Sequence, residues 1–262
     1  KIESNLVQGF SKEKDYFSKS AKIQEFRNSY YTFNNDHKNL RQNWDDFFEM
    51  STLKFLVDYT WMRCSNLTTA NTLYKKNTNS IIDSVSRCFD INSMLELADK
   101  LSGKFPRITK LHSLLLKTIS EPKNSVNYYV LKDYFLDNIS EYDREEKFRV
   151  LCHMINFCGE NIAYYGDDFT KEMLDVYKIM LKNDAYSLAE NEFLLNTDYR
   201  NIQAITVLFR DKDFLELMIK KYSVLLSPEN REDNVSLSFA YLHFLRGEFG
   251  KSLQMISKIA TE

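Results

Sequence analysis

Apolar residues recur at helical spacing along most of the chain, most clearly in its second half. From Phe148 they fall at Phe148, Leu151, Cys152, Ile155, Cys158 and Ile162, with Arg149, His153, Asn156 and Glu160 on the other side. That is the i, i+3, i+4, i+7 stripe of an amphipathic helix. Ser140 and Asp143 signal its start, a variant of the Ser-x-x-acid capping pattern. Gly166 breaks the pattern. Asp167 and Asp168 then cap a second helix over 169–181, with a stripe of Phe169, Met173, Val176 or Tyr177, and Met180.

Two further pairs follow. The first runs over 202–209, turns at Arg210-Asp211-Lys212-Asp213 and returns over 214–226. Ser227-Pro228-Glu229 opens the next helix, with proline in the first turn, where its missing N–H costs nothing. The last pair runs over 235–246, turns at Gly247 and returns over 249–259. Phe214 and Phe249 each follow a tight turn, 35 residues apart, and Ala204 and Ala240 occupy the preceding helices, 36 apart. A helix–turn–helix unit with a period near 34 is the tetratricopeptide signature. A small residue in the first helix lets the second approach, and the aromatic after the turn plugs the gap. In the last unit Ala240, Gly247, Phe249 and Ser252 supply small, glycine, aromatic and small residues. The unit before it has Asp211 to Asp213 in place of glycine and Leu217 in place of the second small residue. The Gly166–Phe169 turn lies out of step, 45 residues before Phe214.

The first hundred residues read as helices over 10–33 and 40–64, unusually aromatic (Tyr30, Tyr31, Phe33, Trp44, Phe47, Phe48, Phe55, Tyr59, Trp61). An Asn- and Thr-rich segment over 65–80 reads as containing a loop, and shorter helices follow over 81–89 and 94–101. Phe105-Pro106 ends one element and opens another. A pair over 111–119 and 128–139 has Pro122 in its connection. The expected organisation is an aromatic-rich helical part over 1–100 running into helix-pair repeats over 101–262.

Composition supports helices and argues against the alternatives. The 262 residues contain only 6 Gly and 3 Pro, where average usage gives roughly 18 and 13. Sandwiches, barrels and doubly wound sheets need many more tight turns. The expected fold class is therefore all-α, stacked antiparallel helix pairs in a TPR-like α-solenoid. The stretches Cys152–Cys158, Gly166–Phe169, Tyr199–Ile202 and Ala240–Ile259 resemble a family of uncharacterised bacterial tetratricopeptide-like proteins, mainly over residues 128–262. That resemblance implies a helical-repeat fold and brings no activity with it.

Charge and chemistry narrow the function classes. Lys and Arg total 35 against 37 Asp and Glu, a net charge of −2, and no basic stripe marks a nucleic-acid binder. The local cluster Lys12, Lys14, Lys19, Lys22 is interrupted by Glu13, Asp15 and Glu25, as on a solvated helix face. No stretch of eighteen apolar residues offers a membrane span. The first ten residues lack a signal-peptide core. The chain starts at Lys1 and stops just after a strong helical pattern, which suggests a segment of a longer or processed protein. Cys64, Cys88, Cys152 and Cys158 do not form a disulfide framework; buried, reduced thiols are expected, which favours the cytoplasm.

Cys152, His153 and Cys158 invite a zinc reading, but the cysteines lie on the apolar stripe and His153 on the polar side, so one rigid helix does not converge them. The other histidines (His37, His112, His243) mark no Cys–His pair, and His243 reads as a packing residue. Asp167-Asp168 suits a helix start, and Asp45-Asp46 point about 100° apart. No phosphate loop or hydrolase motif occurs. The doubled tyrosines (Tyr30-Tyr31, Tyr128-Tyr129, Tyr164-Tyr165) read as core plus rim, and the triplets at Asn66, Asn138 and Asn234 as chance glycosylation matches. No cofactor, metal or catalytic residue is expected. The leading expectation is a non-enzymatic scaffold that binds an unidentified protein or peptide through the first-helix faces, at Asn201, Ile205, Tyr241 and Phe244 or Leu245. An all-α enzyme with a distributed site and, below it, a nucleic-acid-binding solenoid are the alternatives.

Overall fold

The structure is a computed structural model that describes residues 16–73 and 106–259, with isolated positions between those segments. It contains ten α-helices and no strand among the described residues. The helices pack as sequence-adjacent pairs, and the chain divides into two compact units at the Asp143/Arg144 boundary.

The first unit holds two pairs. Helix α1 (Tyr16–Phe33) packs against α2 (His37–Leu73). Their seam is apolar at one end, where Phe17, Met50 and Leu53 meet Ala21 and Val57. It is amide-bonded at the other, where Asn43 Nδ2 donates to the Gln24 carbonyl (2.7 Å) and to Asn28 Oδ1 (2.9 Å). Helix α2 continues to Leu73, well into the segment expected to loop. Asn and Thr are only mildly poor helix formers, and a helix already nucleated over eight turns carries them. The short helices expected over 81–89 and 94–101 fall mostly outside the described residues. Helix α3 (Pro106–Ser120) opens on its proline as expected and packs on α4 (Ser125–Asp137) and α2. Asn124 caps α4 by accepting from the Val126 amide at 3.1 Å. Tyr128, Leu131 and Phe135 form its buried stripe, and Phe135 stacks on Tyr142 with centroids 5.4 Å apart.

The second unit holds three pairs: α5 (Arg144–Tyr165) with α6 (Asp167–Lys182), α7 (Asn196–Leu208) with α8 (Lys212–Leu217), and α9 (Pro228–Leu245) with α10 (Phe249–Ile256). Helix α8 runs on through a π turn (Met218–Tyr222) and a 3₁₀ turn (Ser223–Leu225). The buried stripe of α5 is Val150, Leu151, Met154, Phe157, Cys158 and Asn161, rotated from the stripe expected at Phe148, Cys152, Ile155 and Ile162, which is only half-buried. Asn161 can turn inward because its Nδ2 donates to the Phe157 carbonyl of its own helix (2.9 Å). Helix α6 begins at Asp167 with Gly166 at its N-cap, so Asp167 and Asp168 sit in the first turn and act on the helix dipole without capping it.

Chain reversal in a glycine-poor sequence is achieved by one recurring device. Helices α1, α6, α7 and α9 each end with a left-handed residue, Asn35 (φ 51°), Asp184 (51°), Arg210 (55°) and Gly247 (76°). In each, the next amide bonds the carbonyl five residues back: Asp36 to Tyr31, Ala185 to Met180, Asp211 to Thr206 and Glu248 to His243, at 2.9–3.1 Å. This is the Schellman termination, and only one of the four uses the residue that adopts it without strain. Arg210 is exposed, and its side chain stands in a backbone region that costs an ordinary residue about 1 kcal/mol. Arg210→Gly is therefore expected to raise the melting temperature by about 2–4 °C; a lower one in a thermal melt would refute the strain argument. Next to it, Asp211 caps α8 by accepting from the Phe214 amide (3.0 Å), and its other oxygen takes Lys178 Nζ of α6 (2.8 Å).

The small-residue logic of the repeat holds in the last pair and fails in the one before. Ala240 is buried, and Ser252 Oγ donates to its carbonyl at 2.8 Å, so α9 and α10 touch backbone to side chain. Ala204 is exposed instead, and Leu217 is 41% exposed. In α7 the positions turned inward are Tyr199, Ile202, Gln203 and Thr206.

Candidate interaction surface

Helices α7 and α9 are the first members of consecutive pairs and lie against each other. A buried polar seam joins them. Gln203 Nε2 donates to the Asn234 carbonyl (2.9 Å) and also to Ser238 Oγ. Asn234 Nδ2 donates to Asn196 Oδ1 (2.8 Å), and Asn234 Oδ1 accepts from Arg200 Nε (3.2 Å). Ser238 Oγ donates to the Asn234 carbonyl at 2.9 Å. Asn234 is 1% exposed, so the triplet it begins is closed to glycosylation in the folded chain. The partners lie 31 to 38 residues apart in sequence, so this seam is where one helix pair registers on the next.

With that stripe of α7 committed to α9, another is left facing solvent. Thr197, Asn201, Ala204 and Leu208 are all exposed, three or four residues apart, and Ile205 beside them is half-buried. No member of the stripe is charged. Of the three residues expected to bind a partner, Asn201 is exposed on this face and Ile205 lies at its edge. Tyr241 lies elsewhere, half-buried on α9 three residues after Ser238 and seven after Asn234, at the seam side of that helix. Phe244 is 53% exposed, with its ring against Phe249 at 5.8 Å, and Leu245 is half-buried.

On the α6 side of α7, Asp198 is the charged group to explain. Burial pushes its carboxyl above the usual range, opposed by the Tyr177 hydroxyl, which donates to Oδ1 at 3.4 Å. The same burial, reinforced by the negative charge of Asp198, pushes the Tyr177 phenol up and raises the Cys152 thiol to about 12. Cys152 is thus held as a thiol at neutral pH and is no nucleophile. Cys158 is buried and Cys88 is exposed, so burial is not general among the described cysteines; the Cys64 side chain is outside the described residues. His153 does not lie on a solvated face: its Nε2 is buried without a hydrogen-bond partner, and burial lowers its pKa to about 4. His243 bridges the α9–α10 turn, with Nδ1 2.6 Å from Glu248 Oε2. Of the doubled tyrosines, Tyr128-Tyr129 divides into core and rim, whereas Tyr164 and Tyr165 are both exposed. Among the described residues no group of three or more His, Cys, Asp or Glu is placed to hold a metal ion, and no described helix is long and apolar enough to cross a membrane.

Sequence reasoning missed the connection between α6 and α7. Residues 183–195 form an ordered irregular segment. Arg144 holds it, donating to the Ser187 carbonyl (3.3 Å) and hydroxyl (2.9 Å) and covering the Tyr186 ring at 5.1 Å. The Leu194 amide donates to the Leu225 carbonyl (2.8 Å). The segment exposes Leu188, Phe193 and Leu195. Its one sequence signal is the weak helical periodicity between Asn183 and Leu195.

No protein-family model matches the chain, and no curated protein or solved structure matches it either.

Proposed function

We propose that the chain is a non-enzymatic interaction scaffold, a TPR-like stack whose first-helix faces bind a segment of another protein. The observation that supports this most is the uncharged exposed stripe of α7. A helix face that only meets water is normally rich in charge; Thr197, Asn201, Ala204 and Leu208 offer a hydroxyl, an amide and two apolar contacts. Such a surface suits an uncharged, extended peptide or a helix, with the Asn201 amide bonding backbone and Leu208 taking an apolar side chain. The α7–α9 seam supports the same reading, because it holds consecutive first helices at a fixed spacing, as a continuous groove requires.

The test begins with the protein from its native cell, purified under gentle cross-linking, with stoichiometric partners identified by mass spectrometry. The variant carrying Asn201→Ala and Tyr241→Ala is expected to lose such a partner by tenfold or more, about 1.4 kcal/mol. The single Asn201→Ala change is expected to leave the melting temperature unchanged, as an exposed side chain should. A partner that stays fully bound to the folded double variant places the interaction on another face.

A further inference from the structure

The end of the helical stack carries a second surface, distinct from the α7 face. On α10, Phe249 is 60% exposed, Leu253 67% and Ile256 49%, one stripe at i, i+4, i+7. Phe244 of α9 extends it. The residues 35 positions earlier, Phe214 and Met218, are 9% and 0% exposed, because α8 and its π turn pack on both α7 and α9. The stripe on α10 repeats the α8 positions without a following helix among the described residues.

We propose that a second copy of this chain covers this face, in a two-fold dimer whose α10 helices cross antiparallel at Leu253. Three observations select a second copy. First, the face carries no charge: Phe249, Gly250, Leu253, Ile256 and Ser257 lie on it, so two copies bring no like charges together. Second, it is complementary to itself. With the axis at Leu253, Phe249 lies opposite the partner's Ser257 and Gly250 lies opposite the partner's Ile256. Each large side chain meets a small residue, as an isologous interface needs. An added Cβ at Gly250 would meet nothing within 4 Å, so the space that this glycine leaves lies outside the chain. Third, the exposed parts of the four apolar side chains make a patch of roughly 500 Å², and two such patches bury about 1,000 Å², where specific interfaces begin.

Sedimentation equilibrium of the 262-residue chain across the micromolar range tests this. The expected mass is twice the 31.1 kDa of one chain. Leu253→Asp is expected to give a monomer with unchanged helical circular dichroism. Gly250→Leu separates packing from folding: leucine favours a helix more than glycine does and meets nothing in the single chain, so thermal stability at monomeric concentrations holds or rises while the dimer weakens tenfold or more. A wild-type monomer at every concentration overturns the proposal. So does a dimer that survives both substitutions, or an open series of larger species, which a two-fold contact cannot produce.

Discussion

Acidification from pH 6.5 to pH 4.5 is expected to remove about 2–3 kcal/mol of unfolding free energy through His112 alone, and about 5 kcal/mol by pH 3. His112 is fully buried on α3, its ring edge-on to Trp61 at 5.3 Å, and neither ring nitrogen has a hydrogen-bond partner. Burial lowers its pKa to about 3. The sign follows from proton counting. Below pH 6.5 the unfolded chain binds a proton at this histidine and the folded chain does not, until the pH approaches 3. Stability is therefore flat above pH 6.5 and declines throughout that window. His153, lowered to about 4 by burial, adds a similar slope over a narrower one. Urea unfolding at pH 7 and pH 4.5, on wild type and His112→Leu, isolates the first contribution, since carboxylate effects are common to both. The leucine variant is expected to stay within about 1 kcal/mol of wild type at pH 7 and to exceed it by 2 kcal/mol or more at pH 4.5. Equal pH slopes in the two proteins would mean that His112 takes up its proton in the folded state.

Asn234→Ala is expected to cost about 3 kcal/mol, more than any surface substitution in the chain. The side chain accepts from Arg200 and donates to Asn196 Oδ1 and to the Asn230 carbonyl (2.5 Å). Its removal strands Asn196 in a seam with little water. Each buried polar group left unpaired costs about 1–3 kcal/mol, and the bond to the guanidinium is of the stronger kind. A double-mutant cycle with Asn196→Ala is the discriminating measurement. A coupling of 0.5 kcal/mol or more shows that the two amides act as a unit, whereas additive losses would assign the cost to the cavity alone.

The sequence made the helices legible because their signals are local. Pro106, Pro228 and the acids at 167–168 mark starts, and scarcity of glycine and proline excludes sheet architectures. Faces were harder to read. The inward stripe of α5 includes Asn161 and that of α7 includes Gln203, and a polarity pattern assigns both to water. Only the neighbouring helix decides otherwise, by supplying Asn234 and Ser238 from more than thirty residues away. Ala204 misled for the same reason: a small residue at the repeat position looks like a contact, but α7 turns its amides inward. Helix ends were half-hidden, since Asn35, Asp184 and Arg210 take the conformation that glycine announces and only Gly247 announces it. Of the expected partner surface, Asn201 was legible as an exposed amide. Tyr241 was not, because an aromatic ring at half-burial fits a rim and a seam equally well.

The π turn at Met218–Tyr222 has a consequence for the chain's tolerance of length change. In an α-helix, residues four apart drift about 40° around the axis with each step, so Phe214, Met218 and Tyr222 would spiral away from a common side. All three are buried. The wider turn holds the last of them back in line. An ordinary helix side can lose or gain a residue in an exposed loop and keep its face, but here the additional residue is built into the face itself. Deleting any one residue between Met218 and Tyr222 would restore regular winding and swing Tyr222 out of the interior. The spare residue thus behaves as a keyed insert, fixing the phase of everything that follows it.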